Sequence, residues 1–213
     1  MFTDRTQAGK QLAEQLESYR GKDAVILALP RGGVVTGYEI ARALSLPLDI
    51  VAVRKLGHPL SPEYAIGAVD EYETKILNDA ETATIDKRWL KEKIAREHEE
   101  AKRRSVVYRG GREPHGLSGK TVIIVDDGIA TGLTMRLTVR AVKARKPKKI
   151  IVAVPVAPAE SLAALKREGA DEIIVLLPPE EFMGAVGAHY AEFEQLSDEE
   201  VIRLLQSAYG GEE

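Results

Sequence analysis

Short apolar strands alternating with longer helical stretches predict an α/β domain, with a mostly parallel central sheet flanked by helices. Two observations carry that prediction. Seven short runs are rich in Val, Ile, Leu and Ala, and several are apolar from end to end, as strands covered on both faces must be. Between most of them lie longer stretches whose apolar residues recur at helical spacing. The 213 residues fit one domain and suffice to close a core without disulfide or metal staples.

Taken in order, Asp4 to Tyr19 is amphipathic and predicts the first helix. Ala24 to Leu29 predicts the first strand, and beyond a Gly-rich turn Val35 to Leu44 predicts a helix. Asp49 to Val53, Ala65 to Val69 and Lys75 to Leu77 read as strands, with a Pro- and Gly-containing loop between the first two. Ile85 to Arg104 is dense in charge of both signs and predicts a solvated helix laced with ion pairs. Gly110, Gly111, Pro114, Gly116 and Gly119 mark a loop leading into the strand Thr121 to Val125. A helix over Leu133 to Arg145, a strand over Lys149 to Val154, a helix over Ser161 to Glu168 and a strand over Glu172 to Leu176 follow. The last helix, Asp198 to Ala208, begins after Ser197, a capping residue with Glu200 three positions on.

Composition removes several function classes. A net charge of −3 argues against non-specific nucleic-acid binding, which needs surplus cations to neutralise phosphates. With no cysteine, disulfides, thiol catalysis and Cys-based zinc sites are impossible. Four scattered histidines, His58, His98, His115 and His189, argue against a His-rich metal site. No segment has the apolar core of a signal peptide or the length of a membrane span, so the expected compartment is the cytoplasm, with no membrane partner.

In such sheets ligands sit beyond the carboxyl ends of the strands. The strand Val122 to Val125 runs directly into Asp126, Asp127, Gly128, Ile129, Ala130, Thr131, Gly132, Leu133 and Thr134, where a helix opens. A loop of small residues at a helix N-terminus offers unpaired amides to a phosphate dianion, and Thr131 and Thr134 add hydroxyl donors. Two carboxylates beside a bare phosphate would repel it. They fit a ligand whose hydroxyls donate to them while its phosphate sits next door, which describes ribose 5-phosphate. The bland alternative is a strand-to-helix turn whose acids only cap the helix.

These thirteen residues resemble the phosphoribosyl diphosphate signature of type I phosphoribosyltransferases, an apolar strand, two acids and a Thr-Gly-x-Thr loop. The departure is Gly128, where a larger aliphatic residue is usual. Leu29 to Gly37 resembles the family's pyrophosphate loop, which nominates Arg31, Gly32 and Gly33. Arg54 and Lys55 stand where the family places pyrophosphate contacts beneath a flexible lid of about residues 54–75. The overall pattern is similar to a predicted, poorly assigned bacterial branch of the family.

The resemblance implies a single domain over residues 1–213. Its core would span about 20–177, with a small hood formed by about 178–213 and the N-terminal helix. It implies transfer of ribose 5-phosphate from phosphoribosyl diphosphate to a nucleobase or related acceptor, as in nucleotide salvage, with Mg²⁺ as cofactor and a homodimer as the assembly. Asp126 and Asp127 would be the catalytic pair, and the metal would be carried by the substrate without protein ligands. Phe182 and Tyr190 are candidates for stacking on the unidentified acceptor, or else for anchoring the C-terminal segment. Ala130 stands where hypoxanthine-guanine enzymes of the family carry an aspartate, which disfavours a 6-oxopurine. The rival readings are a non-catalytic sensor of the same donor and a hydrolase using water as acceptor.

Two other motifs fail on spacing. Gly116 to Thr121 imitates part of a Walker A loop but precedes a strand instead of following one. Gly32, Gly33 and Gly37 do not give the spacing of a dinucleotide fold.

Overall fold

The computed structural model describes residues 1–210. In chain order the elements are α1 (Arg5–Gln15), β1 (Ala24–Ala28), α2 (Gly32–Leu44), β2 (Leu48–Ile50), β3 (Val53–His58), β4 (Ser61–Asp70) and β5 (Lys75–Leu77). There follow α3 (Asp79–Thr82), α4 (Lys87–Arg109), β6 (Thr121–Val125), α5 (Leu133–Ala144), β7 (Lys149–Val154), α6 (Ala159–Glu168), β8 (Glu172–Val175) and α7 (Asp198–Tyr209). The predicted parallel sheet is present, with strand order β2-β1-β6-β7-β8.

Its continuous apolar strands serve two cores because successive side chains point to opposite faces. Ile26, Ile123, Val125 and Ile151 pack with Leu12 and Leu16, with Ile40 and Leu44 of α2, and with Val201 and Leu205 of α7. Val25, Leu27, Ile124 and Val152 pack instead with Met135, Val139 and Val142 of α5 and Leu165 of α6. The predicted capping box of α7 is formed: Ser197 Oγ accepts from the Glu200 amide at 3.2 Å, and Glu200 Oε2 from the Ser197 amide at 2.7 Å.

Two expectations need correction. The predicted strand Asp49 to Val53 is two strands: β2 pairs with β1, and Val53 opens β3 in a separate antiparallel sheet, β3-β4-β5. The expected loop after Val53 is therefore a hairpin, turning between His58 and Ser61, with an irregular register at Gly57. Its pairing is supported by burial, since Leu56, Ile66 and Val69 pack on Ile85, Trp89, Leu90 and Ile94. That contact also revises the charged helix. α4 runs to Arg109 and, besides its ion pairs, buries Glu97, Ala101, Ser105, Tyr108 and Arg109.

The segment before α1 meets the segment that precedes α7. Phe2 bridges Tyr190 in parallel fashion, with Phe2 N donating to His189 O and Ala191 N to Phe2 O, both at 2.8 Å. Among the described residues no helix is long and apolar enough to cross a membrane.

Candidate phosphate and diol site

Strand order explains where a ligand can sit. From β1 the chain passes by α2 to β2 on one side, whereas from β6 it passes by α5 to β7 on the other. The loops leaving the adjacent strands β1 and β6 therefore diverge and leave a crevice at their carboxyl ends. Arg31, Gly32 and Gly33 lie on one side of it, and Asp126 through Thr134 on the other. The amide of Leu29 donates to Val125 O at 3.0 Å, so the loops start locked together.

The two glycines are required by that proximity. A Cβ on Gly32 would run into the Asp127 carboxylate, and one on Gly33 would lie 2.9 Å from Asp126 Cα and Oδ1. Asp126 Oδ1 accepts the Asp127 amide at 2.9 Å. Burial, then the neighbouring Asp127 carboxylate, push the Asp126 carboxyl well above the usual carboxylate range. Asp127 Oδ2 accepts from Arg5 Nε at 2.7 Å, and the Asp127 carbonyl accepts from the Tyr190 hydroxyl at 2.6 Å.

The loop beyond the acids is anchored by its ends. The Ile129 amide donates to Val156 O at 2.9 Å, and Ser161 Oγ donates to Ala130 O at 3.2 Å. Gly132 turns the chain into α5 at φ 71°, a left-handed conformation natural to glycine. Among the described residues, the amides of Ala130, Thr131, Gly132, Leu133 and Thr134 have no hydrogen-bond partner within the protein. They gather at the positive end of a 12-residue helix, and Ala130 and Thr131 are exposed. This arrangement can hold a phosphate dianion.

The other nominated residues are only partly gathered here. Successive residues of β3 point oppositely, which separates Arg54 from Lys55. Lys55 lines a cleft of about 520 Å³ together with Thr131 and Leu133. Arg54 instead pairs with Glu97 of α4 at 3.0 Å. Arg31 lies 3.7 Å from Asp198 of α7, both half exposed. Tyr190 is buried against Phe2 and Phe193, with ring centroids 5.5 and 5.0 Å away, so it anchors the C-terminal segment. Its hydroxyl is pushed up by burial and then by the Asp127 carboxylate. Phe182 stacks on His189 at 5.5 Å.

Three features escaped the sequence reading. Arg5 comes from a helix 122 positions before its partner Asp127, with no local signal to join them. Val186 lies over Gly128, where a Cβ would be 2.5 Å from Val186 Cγ1 and 2.8 Å from Val156 Cγ2. The space beside Gly128 is thus filled by Val186, from the segment that leads to Tyr190. Buried His189 accepts from the Met183 amide through Nε2 at 3.1 Å and orders the same segment. Only its position beside Tyr190 could have drawn attention to it.

Fold and crevice together define a parallel α/β protein with an acid pair beside a helix N-terminus whose first amides have no protein partner. The family model for the phosphoribosyl transferase domain matches residues 3–176. A protein of Mycobacterium tuberculosis strain H37Rv, provisionally named a phosphoribosyl transferase, is 40% identical over 216 residues. A counterpart with the same provisional name in strain CDC 1551 matches equally. The match covers 98% of this chain and 47% of each relative, so the chain spans about half the length of the curated relatives it matches. The crystal structure of TT1426 from Thermus thermophilus superposes with a TM-score of 0.81 at 40% identity, covering 97% of this chain and 98% of that one. The chain belongs to the phosphoribosyl transferase domain family.

Proposed function

We propose that this protein transfers the ribose 5-phosphate of phosphoribosyl diphosphate to a nucleobase or related acceptor, releasing pyrophosphate. One observation carries the reading: two carboxylates stand directly before a run of unpartnered amides at the start of α5. A sugar phosphate matches both halves, with its hydroxyls on Asp126 and Asp127 and its phosphate on the free amides of Ala130 to Thr134, in the loop that Ile129 anchors to Val156.

In this reading the C1–O bond to diphosphate breaks with its electron pair leaving on the diphosphate. A ring nitrogen of the acceptor bonds to C1, and the acceptor's proton departs to solvent. The acid pair, adjacent to the sugar, stabilises the positive charge that develops at C1. Gly32 and Gly33 bring main-chain groups close to the leaving diphosphate, while Arg31 and Lys55 supply cations to it. Arg54 contributes only by giving up Glu97. The β3–β4 hairpin is the segment that closes over the donor and excludes water.

Magnesium fits as a substrate-borne ion. Mg²⁺ accepts one or two carboxylates plus substrate oxygens, and an adjacent acid pair can supply the carboxylates. Asp126 and Asp127 are the carboxylates that would face it, and when bound it would neutralise diphosphate charge.

Pyrophosphate release, measured with magnesium, donor and each nucleobase in turn, tests the proposal. Release that depends on one class of base supports transfer. Release without any base indicates hydrolysis, and donor binding with no release under any acceptor indicates a sensor.

A further inference from the structure

The Arg5 guanidinium comes from α1, outside the β1 and β6 loops, yet it is fixed against Asp127. Its Nε donates to Asp127 Oδ2 at 2.7 Å, its Nη1 donates to Glu194 O at 2.9 Å, and its plane lies 3.9 Å from the Phe193 ring centroid. Only 11% of the Arg5 side chain and 15% of the Asp127 side chain are accessible. The pair is therefore shielded, unlike the exposed ion pairs that contribute little. Three contacts on a planar fork leave the guanidinium one orientation.

The same aromatic organises a second hold on the acid. Phe193 stacks on Tyr190 at 5.0 Å, and the Tyr190 hydroxyl donates to the Asp127 carbonyl at 2.6 Å. Side chain and main chain of Asp127 are thus held by Arg5 and by Tyr190 respectively. Gly32 closes onto this unit, since a Cβ there would meet the Asp127 carboxylate and lie 3.0 Å from Arg5 Nε.

We propose that Arg5 is a positioning residue for phosphoribosyl binding: it fixes one oxygen of Asp127 and so presents the other to the ribose hydroxyls. The inference rests on reading Asp127 as a ribose ligand. Its physical basis is that an acceptor ordered before the ligand arrives does not have to be ordered by it. A fixed cation also offsets the repulsion between two adjacent carboxylates, which would otherwise swing apart.

A double-mutant cycle tests it, with affinity for phosphoribosyl diphosphate in magnesium chloride read by calorimetry. Arg5→Met and Asp127→Asn should each weaken binding about tenfold or more, and the double variant should bind no worse than Asp127→Asn alone. Arg5→Lys, which keeps the charge without the fork, should recover part of the loss. If Arg5→Met does not fold, Phe193→Leu replaces it, removing the platform but not the charge, with a smaller loss of the same kind. Wild-type affinity in the Arg5 variants, or losses that multiply in the double variant, would overturn the role of Arg5 alone. A wild-type chain that takes up no donor would overturn the phosphoribosyl reading itself, and this role with it.

Discussion

Gly32 and Gly33 are where the two halves of the site touch, and glycine is required there by space more than by backbone angle. Asp127 and Asp126 occupy the volume that any side chain would need. Gly32→Ala must displace either the Asp127 carboxylate or Arg5. An overpacked site of this kind costs about 1–3 kcal/mol of stability. The expected outcome is a modest drop in denaturation midpoint with a larger loss of donor affinity, since the displaced group is the proposed ribose ligand or the arginine that holds it. Equal affinity in the variant and the parent would show that the crevice tolerates a methyl group. At Gly128 the volume that a side chain would need is filled by Val186 and Val156.

At the scale of elements, a buried charge cluster ties the hairpin and α4 to the main sheet. Arg109, the last residue of α4, donates to Asp49 of β2 at 2.8 Å, to Glu71 at 2.6 Å and to Ile50 O at 2.6 Å. Asp49 also accepts the Ile50 amide at 2.7 Å and the His115 amide at 2.8 Å, so the cluster is well paired. Removing one member strands two buried carboxylates. Arg109→Met should therefore cost about 3–5 kcal/mol in urea unfolding, and a loss under about 1 kcal/mol would refute that coupling.

The middle of α4 makes a weaker, pH-dependent contribution. Arg103 and then Arg104 hold the Glu100 carboxyl down at about 2. A depressed folded value means the stabilisation is complete above the unfolded value near 4.5 and is lost as pH falls through about 2. The Glu100 pair is partly solvated, so Glu100→Gln should cost only about 0.5 kcal/mol at about pH 7. Once the pH falls to about 2 the variant and parent should match. A difference that persists there would assign the effect to helix propensity instead of charge.

Over the whole molecule, legibility followed locality. Four of the five parallel strands were readable, and Ala24 to Ala28 and Val122 to Val125 show why, since strands covered on both faces must be apolar throughout, whereas β2 was merged with the start of β3. The acid pair and the loop of unpartnered amides were readable as one candidate site because their residues are contiguous from Asp126 to Thr134. The hairpin was not, since Gly57, Pro59 and Pro62 interrupt its pattern and its burial depends on α4. The charge-dense helix hid a buried face for the same reason: Glu97, Ser105 and Arg109 become interior only through partners far along the chain. Arg5 was invisible because a lone arginine at a helix start carries no mark of an aspartate 122 positions further along the chain.

These scales converge on one physical claim, that the crevice between the β1 and β6 loops grips a sugar phosphate by its hydroxyls and its phosphate together. Titration calorimetry of the wild-type chain with phosphoribosyl diphosphate, with and without magnesium, measures it directly. Saturable one-site binding in the micromolar to millimolar range is expected, strengthened by magnesium and abolished or strongly weakened in Asp127→Asn. No uptake of the donor under either condition, or equal uptake by Asp127→Asn, would contradict the account.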